Sequence, residues 1–372
     1  MIEARTDVVG SLLRPPQLIA ARHRRDRGEI APAEFKRIED AAVDAALRLQ
    51  EAAGLDVVTD GEMRRLSFQS QMTEAVEGFG AWDIDAFLWG RWHGDDLGEM
   101  TIARPGIGVT EPLRQRRSLS AEEFTYTRGR TARTVKVTLP SPSLFANFWD
   151  PERSTGAYRS SEEFLGAVAE ILRDEADELA NLGCTYMQLD APHYTLLVDP
   201  AWREFYARRG RPAAQWLDFG MELDNLVIGD RPGVTFAFHL CRGNQRSRWL
   251  VSGGYDHIAS RIFRTVKAER LMLEYDDARS GSFEPLGYVP DDKIAVLGLV
   301  TTKTPRRETV DELKARITDA SRFCPLSRLA ISPQCGFASS NLGNDVTVDD
   351  ERAKLRTLVD TAAAVWGRTD AG

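Results

Sequence analysis

Eight short apolar runs alternate with amphipathic stretches along most of the 372-residue chain, and this alternation limits the fold more than any other feature. The β-like runs lie at residues 6–11, 55–60, 134–139, 185–190, 234–239, 271–275, 294–299 and 328–333. Helical periodicity is found at residues 31–53, 160–182, 255–266, 309–323 and 352–366. Strands that alternate with helices form βαβ units and a parallel sheet. Eight such units predict an α/β fold, the (β/α)8 TIM barrel, with its active site at the C-terminal ends of the strands.

The segment at about 64–130 interrupts the alternation after the second predicted strand. It contains Trp82, Trp89 and Trp92, with short β-like runs at 100–103 and 124–126. We expect an insertion, either a hairpin over the mouth of the barrel or a surface elaboration without a role in chemistry. No repeat or low-complexity linker divides the chain, so residues 1–372 are expected to form a single elaborated domain.

Composition and charge exclude several classes of function. The formal net charge of −8 argues against broad binding of a phosphate backbone, so no nucleic-acid partner is expected. No apolar run approaches the roughly 20 residues that span a bilayer, and the first residues do not have the pattern of a secretory signal. Four cysteines in a chain of this length do not make a disulfide framework. We therefore expect a cytoplasmic protein without membrane contact.

Four candidate metal ligands lie at the same end of their predicted strands. His239 and Cys241 are two residues apart at the end of the fifth strand, so their side chains face the same way. Glu274 ends the sixth strand, and Cys335 follows the eighth. Taken singly, each has an ordinary explanation as a packed, capping or turn residue. Together they form a His/Cys/Cys/Glu set that suits Zn²⁺ better than Mg²⁺ or Ca²⁺.

The motifs HLC, LEYDDARS and SPQCGF resemble, in order and spacing, the C-terminal catalytic barrel of cobalamin-independent methionine synthase. The likeness extends to VVGS at 8–11, DGE at 60–62 and QLDAP at 188–192, and so covers nearly the whole chain. It implies a zinc site made by the four ligands above. It also implies that Ser11, Glu62 and Asp190 hold the amino-acid part of homocysteine.

The chemistry of these residues is consistent with that role. Zinc keeps a thiol deprotonated at neutral pH, and a thiolate is the nucleophile that attacks an alkyl carbon. An oxygen ligand binds this ion less firmly than sulfur, so Glu274 is expected to be the ligand that a substrate displaces. Asp190 and Glu62 suit an ammonium group, and Gly10 and Ser11 suit a carboxylate, although capping of turns and helices explains such residues too.

Three departures from the family leave the alkyl donor open. The chain has a single barrel, so it resembles a short form of the synthase. Where the family carries a histidine after the seventh strand, Thr301, Thr302 and Lys303 stand here, and His193 is the candidate to handle the proton instead. Arg242, Arg246 and Arg248 follow the His-x-Cys pair, either as a solvated helix start or, in the case of Arg242, as a fork for a substrate anion.

The resulting prediction is a zinc-dependent transferase that methylates homocysteine to methionine, with methyltetrahydrofolate or a methyl-corrinoid protein as the donor. A second hypothesis is transfer of another alkyl group to another thiol, as in epoxyalkane:coenzyme M transferase. Two hypotheses from other classes are a metal-free barrel similar to uroporphyrinogen decarboxylase and a non-catalytic zinc-binding protein. Oligomeric state is left open.

Overall fold

The computed structural model describes residues 1–81, 91–95, 97–101, 106–208 and 211–367. The strands in these ranges are β1 Val57–Val58, β2 Val76–Ala81, β3 Arg91–Trp92, β4 Met100–Thr101, β5 Ile107–Gln115, β6 Thr134–Pro140, β7 Tyr186–Asp190, β8 Thr235–Leu240, β9 Arg270–Glu274, β10 Ile294–Val300 and β11 Leu329–Pro333. The α-helices are α1 Pro16–Asp26, α2 Pro32–Ala53, α3 Ser70–Ala75, α4 Ala121–Arg128, α5 Ser161–Asn181, α6 Pro200–Arg208, α7 Ala213–Ile228, α8 Ala259–Thr265, α9 Val310–Ala320 and α10 Val348–Trp366.

A curled parallel sheet forms the centre of the molecule, in the order β1-β6-β7-β8-β9-β10-β11. Each neighbouring pair in it is parallel. Side chains alternate between the two faces of each strand, as the pleat requires. In β8, Ala237 belongs to a small cluster on the inner face, whereas Phe236 and Phe238 pack in the larger core. The inner face of β8 is therefore the face that carries His239.

The first of the eight predicted strands does not form as a regular strand. In residues 6–11 the structure has one parallel bridge, from Thr6 to Ile331, instead of a strand. On the other side of this segment, the Asp56 carboxylate accepts the N–H groups of Arg5 and Thr6, both at 3.0 Å, where a strand would have offered carbonyls. A side chain thus replaces part of the ladder. The described fold is α/β with a curled seven-stranded parallel sheet, and a complete eight-stranded barrel is not established.

The predicted helices are largely present, with shifted ends. The helix predicted at 31–53 is α2, and Gly54 ends it in the left-handed region at φ 89°. The Ser160 hydroxyl caps α5 by accepting the Glu163 N–H. The periodic stretch at 255–266 is instead a 3-10 turn followed by the short α8. The last helix begins at Val348, four residues before the predicted start, because Thr347 forms a capping box with Asp350.

The insertion contains both strand and helix. β2 pairs antiparallel with β5, and β3 with β4. The β-like run predicted at 124–126 is wrong, because those residues lie in α4. Trp82, Trp89 and the end of the run at 100–103 fall outside the described residues. Among helices in the described ranges, none combines the length and apolar character that a bilayer span requires.

Candidate metal and thiol site

Three of the four predicted ligands meet at the C-terminal end of the sheet. The ligand atoms of His239, Cys241 and Cys335 all lie within 4.8 Å of one another, and all three residues are buried. The two sulfurs are 3.9 Å apart. His239 lies near the end of β8, Cys241 directly follows that strand, and the turn after β11 supplies Cys335. These side chains can therefore bind one ion together.

The histidine is oriented for ligation. Its Nδ1 lies 2.9 Å from Asp190 Oδ1, and its Nε2 is buried without a hydrogen-bond partner among the described residues. A buried ring nitrogen without a partner is costly unless something occupies its lone pair. A metal ion between this nitrogen and the two sulfurs would satisfy it. The donor set of one imidazole and two thiolates thus fits the metal that the sequence predicts.

The two thiols differ in acidity. The hydrogen bond between the two sulfurs lowers the pKa of Cys335 to about 6, with help from nearby His239 and Lys303 and against the effect of burial. The same hydrogen bond raises the pKa of Cys241. One sulfur of the pair is therefore already an anion near neutral pH, as a metal ligand must be.

Glu274 lies outside the group of converging ligand atoms. One of its oxygens accepts the Arg242 backbone N–H. The other lies 3.0 Å from Arg279 and 3.3 Å from Lys303. Burial alone would raise the pKa of Glu274, but Lys303 and the two arginines lower it to about 2. Its role as fourth ligand stays a prediction, and the structure places this carboxylate among cations beside the site.

A cavity of about 570 Å³ opens above the three ligands. Ser11, Glu62 and Asp190 lie in its wall, as the sequence predicts for substrate-binding residues. The Glu62 Oε1 atom accepts a hydrogen bond from the Thr138 hydroxyl at 2.8 Å, and its Oε2 is buried without a partner among the described residues. Burial raises the pKa of Glu62, and the neighbouring Asp190 carboxylate raises it further. Two carboxylates therefore lie in the cavity wall, and Arg65, 3.7 Å from Glu62 Oε1, compensates part of the charge of Glu62.

Gly10 supports this arrangement through its lack of a side chain. A Cβ atom there would lie 2.6 Å from Glu62 Oε1. Glu62 itself has a φ of 53°, an unusual conformation for a residue other than glycine. Backbone strain of this kind persists only where the surroundings enforce it, and it is common at functional sites.

His193 also lines the cavity, but as a neutral base. Its Nε2 lies 2.7 Å from the Ser143 hydroxyl, and its Nδ1 is buried without a partner in the described structure. Burial lowers the pKa of His193 to about 3. At neutral pH the ring carries one proton and no charge, so His193 can exchange a hydrogen bond with a substrate but cannot act there as an imidazolium.

The three arginines after the His-x-Cys pair have different tasks. The Arg242 guanidinium donates to the carbonyls of Gly253, Glu274 and Ser280, at 2.7–3.2 Å. Arg248 donates to the carbonyls of Leu97 and Gly98 and so connects the insertion to the loop after β8. Arg246 is exposed. The fork that was expected for a substrate anion at Arg242 is therefore engaged with the protein's own backbone.

Residues after the seventh predicted strand lie behind the cavity wall. Lys303 is buried with Glu274 and Asp276, so it is placed as a counter-charge. Thr302 accepts a hydrogen bond from Asn244, which lines the cavity. The sequence analysis assigned no site role to Asn244, because an asparagine after a glycine carries no distinctive signal.

The insertion supplies part of the cavity wall, although its role was left open from the sequence. Leu66, Phe68, Trp92 and Ile107 all line the cavity. β3 reaches it because the backbones of His93 and Trp249 exchange hydrogen bonds at 2.8 and 2.9 Å. The insertion therefore lies over the ligand cluster.

Comparison with known proteins identifies the family of the chain. Residues 4–364 match the family model described as cobalamin-independent synthase, catalytic domain. The chain is 35% identical over 367 residues to the uncharacterized protein YxjH of Bacillus subtilis, covering 97% of this chain and 94% of that one. It is 28% identical over 334 residues to the methionine synthase of Pyrococcus abyssi, covering 89% and 86%. The structure of a B12-independent methionine synthase from a Shewanella species in complex with selenomethionine superposes with a TM-score of 0.72, at 20% identity and 98% coverage of both chains.

The fold and the family match define an α/β transferase with a curled parallel sheet and a buried His/Cys cluster that could hold a metal ion. More narrowly, the chain belongs to the cobalamin-independent methionine synthase family, whose members named in these comparisons are methyltransferases.

Proposed function

We propose that the protein is a zinc-dependent methyltransferase that methylates the thiol of homocysteine to give methionine. The observation that carries the proposal is the convergence of His239, Cys241 and Cys335 within 4.8 Å at the floor of the cavity, with one imidazole nitrogen left unpaired. Nitrogen and sulfur donors in this number favour zinc over the hard cations. When bound there, zinc would lower the pKa of a substrate thiol so that it reacts as a thiolate.

The carboxylates support an amino-acid substrate. Asp190 and Glu62 both line the cavity and are close enough for the charge of one to raise the pKa of the other, so a substrate ammonium group would interact favourably with both. The hydroxyl of Ser11, which lines the cavity, and the backbone N–H of Gly10 would bind the substrate carboxylate. Holding the amine and carboxylate fixes the sulfur relative to the ligand cluster, and such positioning lowers the entropic part of the barrier.

The state of Arg242 favours homocysteine over coenzyme M. Coenzyme M carries a sulfonate and no amine, so it would need a free cation in the cavity wall. Because the Arg242 guanidinium binds three carbonyls, it is not disposed to receive that anion. Glu62 and Asp190 would also repel a sulfonate. The charges therefore support an aminothiol.

Both methyltetrahydrofolate and a methyl-corrinoid protein remain proposed donors. The apolar side chains of Leu144, Phe148 and Trp92 give the cavity a surface on which a flat donor can pack. His193 would give a hydrogen bond to a leaving nitrogen as a neutral imidazole, since burial keeps its pKa near 3.

Elemental analysis and X-ray absorption test the proposal. Purified protein should hold about one zinc per chain, and Cys241→Ser or Cys335→Ser should lose it, as expected for a single site. Cys184→Ser and Cys324→Ser are matched controls, because both cysteines are buried away from the cluster and should leave zinc content unchanged.

At the zinc edge, added homocysteine should contribute one further sulfur ligand, whereas coenzyme M and cysteine should not. If none of the three thiols changes the spectrum, thiol activation is wrong and a non-catalytic zinc protein is favoured. If the wild-type protein holds no zinc, the metal-free barrel hypothesis is favoured instead.

A further inference from the structure

A line of buried side chains runs through the interior of the curled sheet and ends at His239. The Lys136 ammonium lies 2.8 Å from Asp7 Oδ1 and 2.7 Å from Gln188 Oε1. The Gln188 amide donates to Asp190 Oδ1 at 2.7 Å and to the Val9 carbonyl at 2.8 Å. Asp190 Oδ1 then meets His239 Nδ1 at 2.9 Å. Every side chain in this line is buried.

Strand geometry places these groups in a row. Gln188 and Asp190 are two residues apart in β7, so both point to the inner face of the sheet. Lys136 enters from the adjacent β6, and Asp190 is in register with His239 of β8. The line therefore crosses the neighbouring strands β6, β7 and β8 toward the C-terminal end of the sheet.

The direction of each hydrogen bond in this line is determined by its first member. An ammonium group has only donors, so Gln188 must turn its oxygen toward Lys136 and its NH2 toward Asp190. Asp190 Oδ1 then accepts from Gln188, and as a carboxylate oxygen it can only accept from His239 as well. In the neutral ring, Nδ1 of His239 must therefore carry the proton, which leaves the lone pair on Nε2.

We propose that Lys136 and Gln188 are positioning residues that fix the tautomer of His239, so that Nε2 is presented to the two cysteines as a metal ligand. Neither residue makes a hydrogen bond to the three candidate metal ligands, and both act through Asp190. The metal half of this inference rests on the proposed function, whereas the tautomer of the histidine does not.

The first test compares two isosteric changes. Gln188→Glu replaces the NH2 group with an oxygen 2.7 Å from Asp190 Oδ1, so the two carboxylates repel or share a proton and the His239 hydrogen bond is disturbed. Changes at groups that orient a metal-bound histidine typically weaken metal affinity about 10- to 100-fold. We expect the zinc dissociation constant to rise by about that factor in a competition titration with a chromogenic chelator.

Gln50→Glu is the matched control. Gln50 is also buried, donates to the Ala46 and Thr59 carbonyls, and accepts the Thr59 N–H, remote from the ligand cluster. It should lose folding stability without a change in zinc affinity. Equal zinc affinity in the folded Gln188→Glu and wild-type proteins would overturn the proposal.

The second test measures the tautomer in the wild-type protein and does not need a variant of the interior to fold. In metal-free protein labelled with 15N-histidine, at a pH above the titration of the ring, His239 should carry a proton on Nδ1 and none on Nε2, with the signal assigned by its loss in His239→Gln. In Lys136→Met, Asp7 keeps its contacts with Tyr186 and Arg270, but the Gln188 amide is free to turn over. The Nδ1 tautomer should then lose its dominance.

The outcomes separate the two proposals. Absence of zinc binding together with the expected tautomer would refute the proposed function and leave the role of Lys136 and Gln188 intact. A neutral wild-type His239 that carries its proton on Nε2, or a tautomer unchanged in Lys136→Met, would refute the positioning role whatever the metal content.

Discussion

Gly336 is the position where the smallest added group should disturb the candidate site most. A Cβ atom built on Gly336 would lie 2.0 Å from Ser11 Oγ, and 3.2 Å from both Ser11 Cβ and Ser11 N. Rotation of the hydroxyl can relieve the first contact but not the two others, which involve atoms close to the backbone. Overpacking of this kind costs about 1–3 kcal/mol. We therefore expect Gly336→Ala to lose about 2 kcal/mol of unfolding free energy.

The functional effect should be larger than the loss of stability implies. Gly336 follows Cys335 directly, so a backbone shift at 336 moves one sulfur relative to the other, 3.9 Å away. We expect weaker zinc binding by about tenfold, because displaced ligands lose the geometry that zinc requires. Denaturant unfolding of the metal-free protein and a chelator competition titration measure the two effects separately.

Two companion variants make the reasoning refutable. Gly166 lies in α5, and an added Cβ there would have nothing within 4 Å. Gly166→Ala should therefore raise the unfolding free energy by about 0.5–1 kcal/mol. Ser11→Gly should restore most of the lost stability when combined with Gly336→Ala, because it removes the atoms in closest contact. If Gly336→Ala matches wild type in both measurements, or if Ser11→Gly gives no rescue, the steric argument is incorrect.

Three further predictions concern buried charges. Burial raises the pKa of Glu351 to about 8 from 4.5, so the unfolded chain releases this proton first and folding stability is lost as pH rises from about 4.5 to 8. In urea titrations, Glu351→Gln should therefore be more stable than wild type by about 3 kcal/mol at pH 7 and by little at pH 4. Lys303→Met leaves the Glu274 carboxylate without its lysine partner and should cost about 3 kcal/mol of unfolding free energy. Adding Glu274→Gln should recover part of this loss. If the free-energy changes of the two single variants simply add in the double variant, this prediction is contradicted. Arg248→Ala removes the donors to the carbonyls of the insertion and should speed amide exchange at 91–101 about tenfold, with no change in α5.

The sequence was a good guide where one local pattern determines one element. The run at 134–139 became β6, and the run at 294–299 became β10, each within one residue, because buried parallel strands are continuously apolar. His239, Cys241 and Cys335 could be brought together because each ends or follows a strand of the same sheet. In a parallel sheet the C-terminal ends of all strands lie at the same edge, so this convergence follows from the fold class and requires no knowledge of side-chain contacts.

Features that depend on distant contacts were not predictable. The segment at 6–11 has the composition of a strand, yet the Asp56 carboxylate takes the backbone N–H groups that a neighbouring strand would have bound. Arg242 looked available for a substrate anion, because nothing local indicates the carbonyls of Gly253 and Ser280. Gln188 stood within a motif of the family resemblance, but its role depends on Lys136, 52 residues earlier.

The 3.9 Å separation of Cys241 and Cys335 also bears on how the protein must be handled. Two sulfurs this close, one of them already ionised near neutral pH, are well suited to oxidation by air once no cation lies between them. We expect metal-free preparations kept under oxygen to acquire a crosslink that zinc cannot reverse. A thiol reductant added before the metal should restore full zinc occupancy. An inactive sample can therefore result from oxidation during handling and not from the sequence of the protein.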